Sequence, residues 1–208
     1  VNIAISAAKD AGSIIHKYSQ QLERVKINEK SKNDFVSEVD LKAEQAIIHA
    51  IHKAYPDHSI MAEESGYIER DSDFTWIIDP LDGTKNFLHG FPFYAVSIAV
   101  KHKNKIEHGV IYNPINFELF SASRGQGARL NDQRIRVSKE NRFDKTLIGT
   151  GFPCQNRNEN TPYLNTFTSI SNECSGIRRT GSAALDLAFV AAGRLDGFWE
   201  FGLKPWDI

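Results

Sequence analysis

Only two cysteines, Cys154 and Cys174, occur in 208 residues, and they form no Cys-x-x-Cys pair. A disulfide framework needs more, so two free thiols are expected, packed in the core of a protein in a reducing compartment, by default the cytoplasm. No apolar run approaches the ~20 residues that span a bilayer. The longest comparable stretch, 93–100, reads as a buried strand. No signal-peptide pattern opens the chain, although Val1 is not a start methionine and this carries little weight. The net charge is only -1, so there is no basic field to draw in nucleic acid or anionic membrane. Repeats, low-complexity tracts and clear linkers are also missing. With 41% hydrophobic and 25% charged residues, the chain has the composition of a globular protein long enough to bury a sizeable core.

Periodicity supplies the elements. Ile3, Ala4, Ala7, Ala8, Ala11, Ile14, Ile15, Tyr18 and Leu22 recur at helical spacing. A polar loop is expected over 29–34. Ser37-Glu-Val-Asp40 resembles a capping box and predicts a second helix carrying Leu41, Ala46, Ile47, Ala50, Ile51 and Ala54, stopped by Tyr55-Pro56-Asp57. Strands are then expected over 59–62, 75–78, 93–103, 106–112, 118–123 and 146–151, with turns at 102–105 and 124–128. Helices over 164–170 and 183–192 and a last strand over 195–201 complete the pattern. Helices first, then strands, then helix and strand again predict a layered α+β fold, not a βαβ array.

Acids cluster where strands end. Glu63-Glu64 follows one strand, Asp79-Pro-Leu-Asp82-Gly-Thr84 another, and Asp207 follows the last. Crowded carboxylates repel and resist desolvation, so a site that gathers them calls for cations. An all-oxygen set with neither His nor Cys in ligand spacing suits Mg²⁺ rather than zinc. Pro80 stiffens the segment between the aspartates, so that Asp79 can bridge two ions and Asp82 bind one. Free amides at a helix start after Gly83 would accept a phosphate oxygen. The bland alternatives are that Asp-Gly is a common turn dipeptide, that Asp and Thr often cap helices, and that Glu-Glu is often a solvated face.

Taken in order, Glu63-Glu-Ser-Gly66, Trp76-Ile-Ile-Asp79-Pro-Leu-Asp82-Gly-Thr84, Gly181-Ser-Ala-Ala184 and Pro205-Trp-Asp207 resemble the inositol monophosphatase family. Asn33 to Asp40 and Gly125 to Ala128 extend the likeness over the whole chain. Runs such as GFPC and RRTGSAALDLA bring it nearest to the bacterial extragenic-suppressor type. The resemblance implies one α-β-α-β-α layered domain over 1–208, with further strands beyond Ile208. It implies a Mg²⁺-dependent phosphatase of inositol monophosphate, a small phosphorylated polyol, acting by in-line attack of a metal-activated water.

Glu63, Asp79 and the Leu81 carbonyl would hold one Mg²⁺, and Asp79, Asp82 and Asp207 a second; Glu63 would also help a third. Asp40 and Thr84 would orient or deprotonate the water, and the Gly83 and Thr84 amides would hold the phosphate. Gly181, Ser182, Ala183 and Glu200 would face the alcohol, with Glu200 and Asp82 accepting from its hydroxyls. Lys30 matches a lysine near the metal loop. Lys85 stands where many relatives have threonine, adding charge near the phosphate or pointing to solvent. A homodimer is implied, and so is an association with a transcription-machinery protein. Fructose 1,6-bisphosphate and 3'-phosphoadenosine nucleotides are rival substrates that share the metal motif. His49 and His52 are read as a solvated face, Arg178-Arg179 as substrate or dimer contacts or a surface salt bridge, and Phe87, Phe91, Phe93 and Tyr94 as core packing.

Overall fold

The computed structural model describes residues 1–31, 34–153 and 160–208, with only the backbone for 28–31, 34 and 35. In chain order the elements are α1 (Asn2–Ser19), β1 (Ile27–Ser31), β2 (Asp34–Ser37), α2 (Glu38–Ala54), β3 (Ser59–Ala62), β4 (Gly66–Ile68), β5 (Phe74–Asp82) and α3 (Thr84–Leu88). Then come β6 (Ala95–His102), β7 (Lys105–Asn113), β8 (Glu118–Ser123), β9 (Gly127–Leu130), β10 (Gln133–Arg134), β11 (Leu147–Thr150), α4 (Asn160–Glu173), β12 (Gly176–Arg178), α5 (Ala183–Ala191) and β13 (Gly197–Trp199).

Eight strands form one sheet in the order β10-β9-β8-β7-β6-β5-β3-β4, antiparallel except for the β3–β5 pair. The apolar stripes of α1 and α2 cover one face. Ala4, Ala7, Ala8, Ala11 and Ile15 of α1 and Val39, Ala43, Ile47 and Ile51 of α2 join Ile60, Ile78, Ile98 and Val110 in the main core. Small side chains on α1 let it lie close to the sheet. α5 packs on the opposite face, where Leu185 and Ala188 meet Ala95 and Phe120. Beyond it lies a parallel three-stranded sheet, β12-β11-β13, and Tyr163 of α4 stacks on Trp199 of that sheet. The expected α-β-α-β-α layering is therefore present.

Several expectations need correction. The polar stretch 29–34 is not simply a loop: its residues 29–31 and 34 belong to β1 and β2, which pair antiparallel. It carries no apolar alternation, so side-chain patterning could not reveal backbone pairing. The strand expected over 195–201 is confined to Gly197–Trp199, because the amides of Arg194 and Leu195 turn back to the Phe189 carbonyl. The strand expected over 75–78 runs on through Pro80 to Asp82. Phe91 is 53% exposed and outside the aromatic core that holds Phe87 and Tyr94. His49 is exposed as expected, but His52 is half-buried, and its Nε2 has no partner among the described residues. Cys174 is only half-buried and reduced, while Cys154 lies outside the described residues. Among the described residues no helix is long and apolar enough to cross a membrane.

Gly12 shows how tightly α1 is seated. A Cβ there would fall 2.4 Å from Tyr112 Cε1 and 3.4 Å from Pro114 Cβ. Gly12→Val is expected to lower stability by about 1–3 kcal/mol through overpacking. Urea denaturation checks this: the midpoint falls while the slope is kept.

Candidate active site

The site begins at the junction of β2 and α2. Ser37 caps α2, its Oγ accepting from the amides of Val39 (3.1 Å) and Asp40 (3.4 Å). Asp40 completes the box, its Oδ2 accepting from the Ser37 amide (2.9 Å) and hydroxyl (2.5 Å). Both residues are fully buried. Asp40 Oδ1 is left facing Thr84, whose hydroxyl lies 2.8 Å away and 3.1 Å from the Leu81 carbonyl. Burial pushes the Asp40 carboxyl above its ordinary value, and the bonds from Ser37 and Thr84 partly offset that. The local capping box thus carries a carboxylate oxygen to a residue 44 positions away.

A bulge in β5 delivers the next acids. Asp79 pairs with Ser97 and Asp82 with Ala95, so Pro80 and Leu81 oppose Val96 alone. Proline has no amide for the ladder, which suits it to such an irregularity. The Leu81 amide donates to Asp79 Oδ1 at 3.0 Å, closing the turn. Gly83 then takes φ +97, and a Cβ there would meet the Phe93 carbonyl at 3.0 Å. Only glycine fits this corner without strain, and α3 starts from it. Across the parallel pair, the Glu63 amide donates to the Ile78 carbonyl at 3.1 Å, which sets Glu63 beside Asp79.

The carboxylates then crowd. Asp79 is pushed well above the usual range by burial first, then by the charges of Glu63, Asp82 and Asp207 and a hydrogen bond with Glu63. Burial raises Asp82 to about 7, against the pull of two donors, the Ser182 hydroxyl and the Ala184 amide, both 2.7 Å from its Oδ2. Glu200 is raised to about 7 by burial and then by Asp82 and Asp207, with Arg179 opposing. Gly151 makes room for Glu200, since a Cβ there would lie 1.9 Å from its carboxyl carbon. Asp207 is also raised by burial, and the Lys204 amide donates to its Oδ2 at 2.6 Å. Ser182 caps α5, and its hydroxyl meets Asp82 of β5 with Gly181 and Ala183 flanking it in sequence.

The donor set suits a hard divalent cation: every group is a carboxylate or carbonyl oxygen, and burial, joined at Asp79 and Asp82 by neighbouring like charge, raises Asp79, Asp82 and Asp207 above their ordinary values, a cost that a cation would offset. As the side chains lie, no three acidic, His or Cys groups among the described residues are gathered closely enough to enclose an ion. The acids are neighbours held by separate donors, so enclosing an ion needs the side chains to draw together. The side chain of Lys30 lies outside the described residues.

Residues 1–208 match the sequence profile of the inositol monophosphatase family. The chain belongs to the inositol monophosphatase family. A curated relative from Pseudomonas aeruginosa, Nus factor SuhB, is 52% identical over 213 residues, covering all of this chain and 79% of its own length. The crystal structure of extragenic suppressor protein suhB from Bartonella henselae has a TM-score of 0.97 at 48% identity, over 100% of this chain and 80% of that one. The inositol monophosphatase of Anabaena (Nostoc) follows, with a TM-score of 0.87 at 38% identity over 100% and 77%. The family supports a phosphatase, and its members are generally metal-dependent.

Three supporting residues escape a sequence reading of this inositol monophosphatase relative. Glu44 is 3% exposed and accepts from the Glu64 and Ser65 amides, each at 2.9 Å, so it fixes the backbone that carries Glu63. Asn86 donates to the carbonyls of Phe93 (2.6 Å) and Thr180 (2.8 Å), tying α3 to the loop before α5. Asp186 is 1% exposed on α5. A signal did exist for Asp186, a lone acid in an otherwise apolar helix, whereas Glu44 stands one turn after Asp40 on the same buried face of α2.

Glu44→Ala removes the charged acceptor of the part-buried Glu64 and Ser65 amides and is expected to lower stability by about 1–3 kcal/mol, read by urea denaturation. A pH test addresses the acids. Unfolded, Asp82 and Glu200 titrate near 3.8 and 4.5; folded, both titrate near 7. The folded state therefore holds protons that the unfolded state has lost, so their contribution is present at low pH and is lost as pH rises toward about 7. Melting temperatures of cation-free protein across that window are expected to fall more steeply for the native chain than for Asp82→Asn.

Proposed function

We propose that this protein is a Mg²⁺-dependent phosphatase that hydrolyses myo-inositol 1-phosphate to inositol and phosphate. The observation that carries it is the gathering of half-buried Glu63, Asp82 and Asp207 around buried Asp79 in one repulsive neighbourhood, beside the Asp40–Thr84 hydrogen bond. In this reading Glu63, Asp79, the Leu81 carbonyl, Asp82 and Asp207 hold the cations. When bound, Mg²⁺ supplies positive charge against the phosphoryl oxygens and makes water easier to deprotonate.

The chain's own groups do the rest. Asp40 takes the proton of the Thr84 hydroxyl, and that oxygen accepts a proton from the attacking water. Locked by the capping box, Asp40 keeps its orientation throughout. The Gly83 and Thr84 amides hold phosphoryl oxygens, since the first turn of α3 has no intrahelical acceptor for them. On the alcohol side, Asp82 and Glu200 accept from ring hydroxyls, and Gly181, Ser182 and Ala183 shape the wall. The enzyme is further proposed to work as a homodimer in the cytoplasm.

A second reading rests on one relative's name, Nus factor SuhB. In it, this chain also contacts a protein of the transcription antitermination machinery, independently of turnover. Partner capture that survives Asp82→Asn would show the two roles to be separable.

Phosphate release from inositol 1-phosphate, titrated with Mg²⁺, tests the first reading. Turnover is expected to require Mg²⁺ and to fall at least about 100-fold in Asp82→Asn and about 10-fold or more in Thr84→Val, as for lost positioning groups. No turnover by folded, Mg²⁺-loaded protein overturns the inositol assignment. Fructose 1,6-bisphosphate and 3'-phosphoadenosine nucleotides then become the substrates to try.

A further inference from the structure

Asp186 lies in the first turn of α5, within the run Ala-Ala-Leu-Asp-Leu-Ala-Phe-Val-Ala, where it is the only polar residue. It is 1% exposed, and its Oδ1 has no hydrogen-bond partner among the described residues. A buried carboxylate with an unmet oxygen destabilises a fold, and an apolar residue would suit that helix better. Packing therefore does not account for the carboxylate.

Its other oxygen does have a task. Asp186 Oδ2 accepts from the Thr180 hydroxyl at 2.5 Å. The Thr180 carbonyl in turn accepts from Asn86 Nδ2 at 2.8 Å. Thr180 is thus clamped between α5 and α3. Gly181 follows at φ +90, its carbonyl oxygen 3.3 Å from where a Cβ on Gly83 would sit. The next residues aim the Ser182 hydroxyl and Ala184 amide at Asp82 Oδ2, both at 2.7 Å. A chain of contacts runs from Asp186 through Thr180 and Gly181 to the oxygen that orients Asp82.

We propose that Asp186 is a positioning residue: by anchoring Thr180 it fixes the 180–184 loop, and through that loop the orientation of Asp82. Asp186 touches neither phosphate nor alcohol. Its reach into the chemistry rests on the proposed role of Asp82. Its effect on the loop does not.

The test uses Thr180→Val, which keeps the shape and removes the donor, Asp186→Leu, which removes the acceptor, and Asp186→Asn, which keeps one. Hydrogen exchange of the Ala184 amide is followed by NMR in cation-free, substrate-free protein, with the Ile98 amide of β6 as the core reference. KM and kcat for inositol 1-phosphate are measured alongside. Thr180→Val and Asp186→Leu are each expected to speed Ala184 exchange about tenfold with Ile98 unchanged, while Asp186→Asn stays within about twofold.

The double variant is expected to match the single ones, because both substitutions break one contact. kcat/KM is expected to fall about fivefold or more, a milder loss than in Asp82→Asn, which removes the carboxylate itself. Unchanged Ala184 exchange, equal acceleration at Ile98, or additive effects in the double variant would each overturn the proposal. Should Asp186→Leu fail to fold, Thr180→Val and Asp186→Asn decide the matter alone. Because exchange is read without substrate, a native chain inactive on inositol 1-phosphate overturns the inositol assignment and leaves this test standing.

Discussion

Like charges buried together repel, and the bulge in β5 forces Asp79 and Asp82 into one neighbourhood with Glu63 and Asp207. Much of the surrounding structure bears that load. Strand pairing brings Glu63 alongside Asp79, a serine hydroxyl and an alanine amide hold Asp82, and the Lys204 amide holds Asp207. Each donor steadies the charged form of its acid a little, but none removes the mutual repulsion. Burial, with crowding at Asp79 and Asp82, raises Asp79, Asp82 and Asp207 above their ordinary values, so the cation-free fold takes up protons at pH values where the open chain has released them. A cation that displaced those protons would bind the folded arrangement and not the open chain, and would stabilise the fold by mass action.

The same economy of parts recurs at Asp40. A capping box is ordinarily a local device worth about 1 kcal/mol to a helix. Here it also immobilises a carboxylate whose second oxygen reaches Thr84 on a different element. Helix termination and site geometry share one set of hydrogen bonds, so they stand or fall together.

What could be read from the sequence divides along physical lines. The helices of the first half, the strands of the large sheet and the motif acids were legible because periodicity and short spacing act locally. Ser37 and Asp40, three residues apart, announced their cap, and Asp79-Pro-Leu-Asp82 announced an acid pair. The β1–β2 hairpin was not legible, because backbone pairing there has no apolar alternation to mark it. The bulge was hidden for another reason: Pro80 reads as a strand end, and only pairing with β6 shows the strand resuming at Asp82. Glu44 and Asp186 were missed because their partners lie on other elements. A lone acid in an apolar helix, as at Asp186, or a second acid one turn after a capping one, as at Glu44, is the trace such residues leave.

The contact between Asp82 and Ser182 spans 100 positions of sequence and joins the large sheet to the helix that backs the small one. The proposed alcohol-binding wall therefore does not exist on either sheet alone. It forms only when the two halves of the chain dock, and the docking surface near it is polar: Asp82 against Ser182 and Ala184, Asn86 against Thr180, Thr180 against Asp186. Apolar burial can tolerate small slips in register, whereas hydrogen bonds weaken steeply when distance or angle drifts. A site that must hold several acids in fixed relation gains more from directional contacts at this seam than from additional apolar area. The apolar packing of Leu185 and Ala188 a turn further along supplies the adhesion that the polar seam lacks.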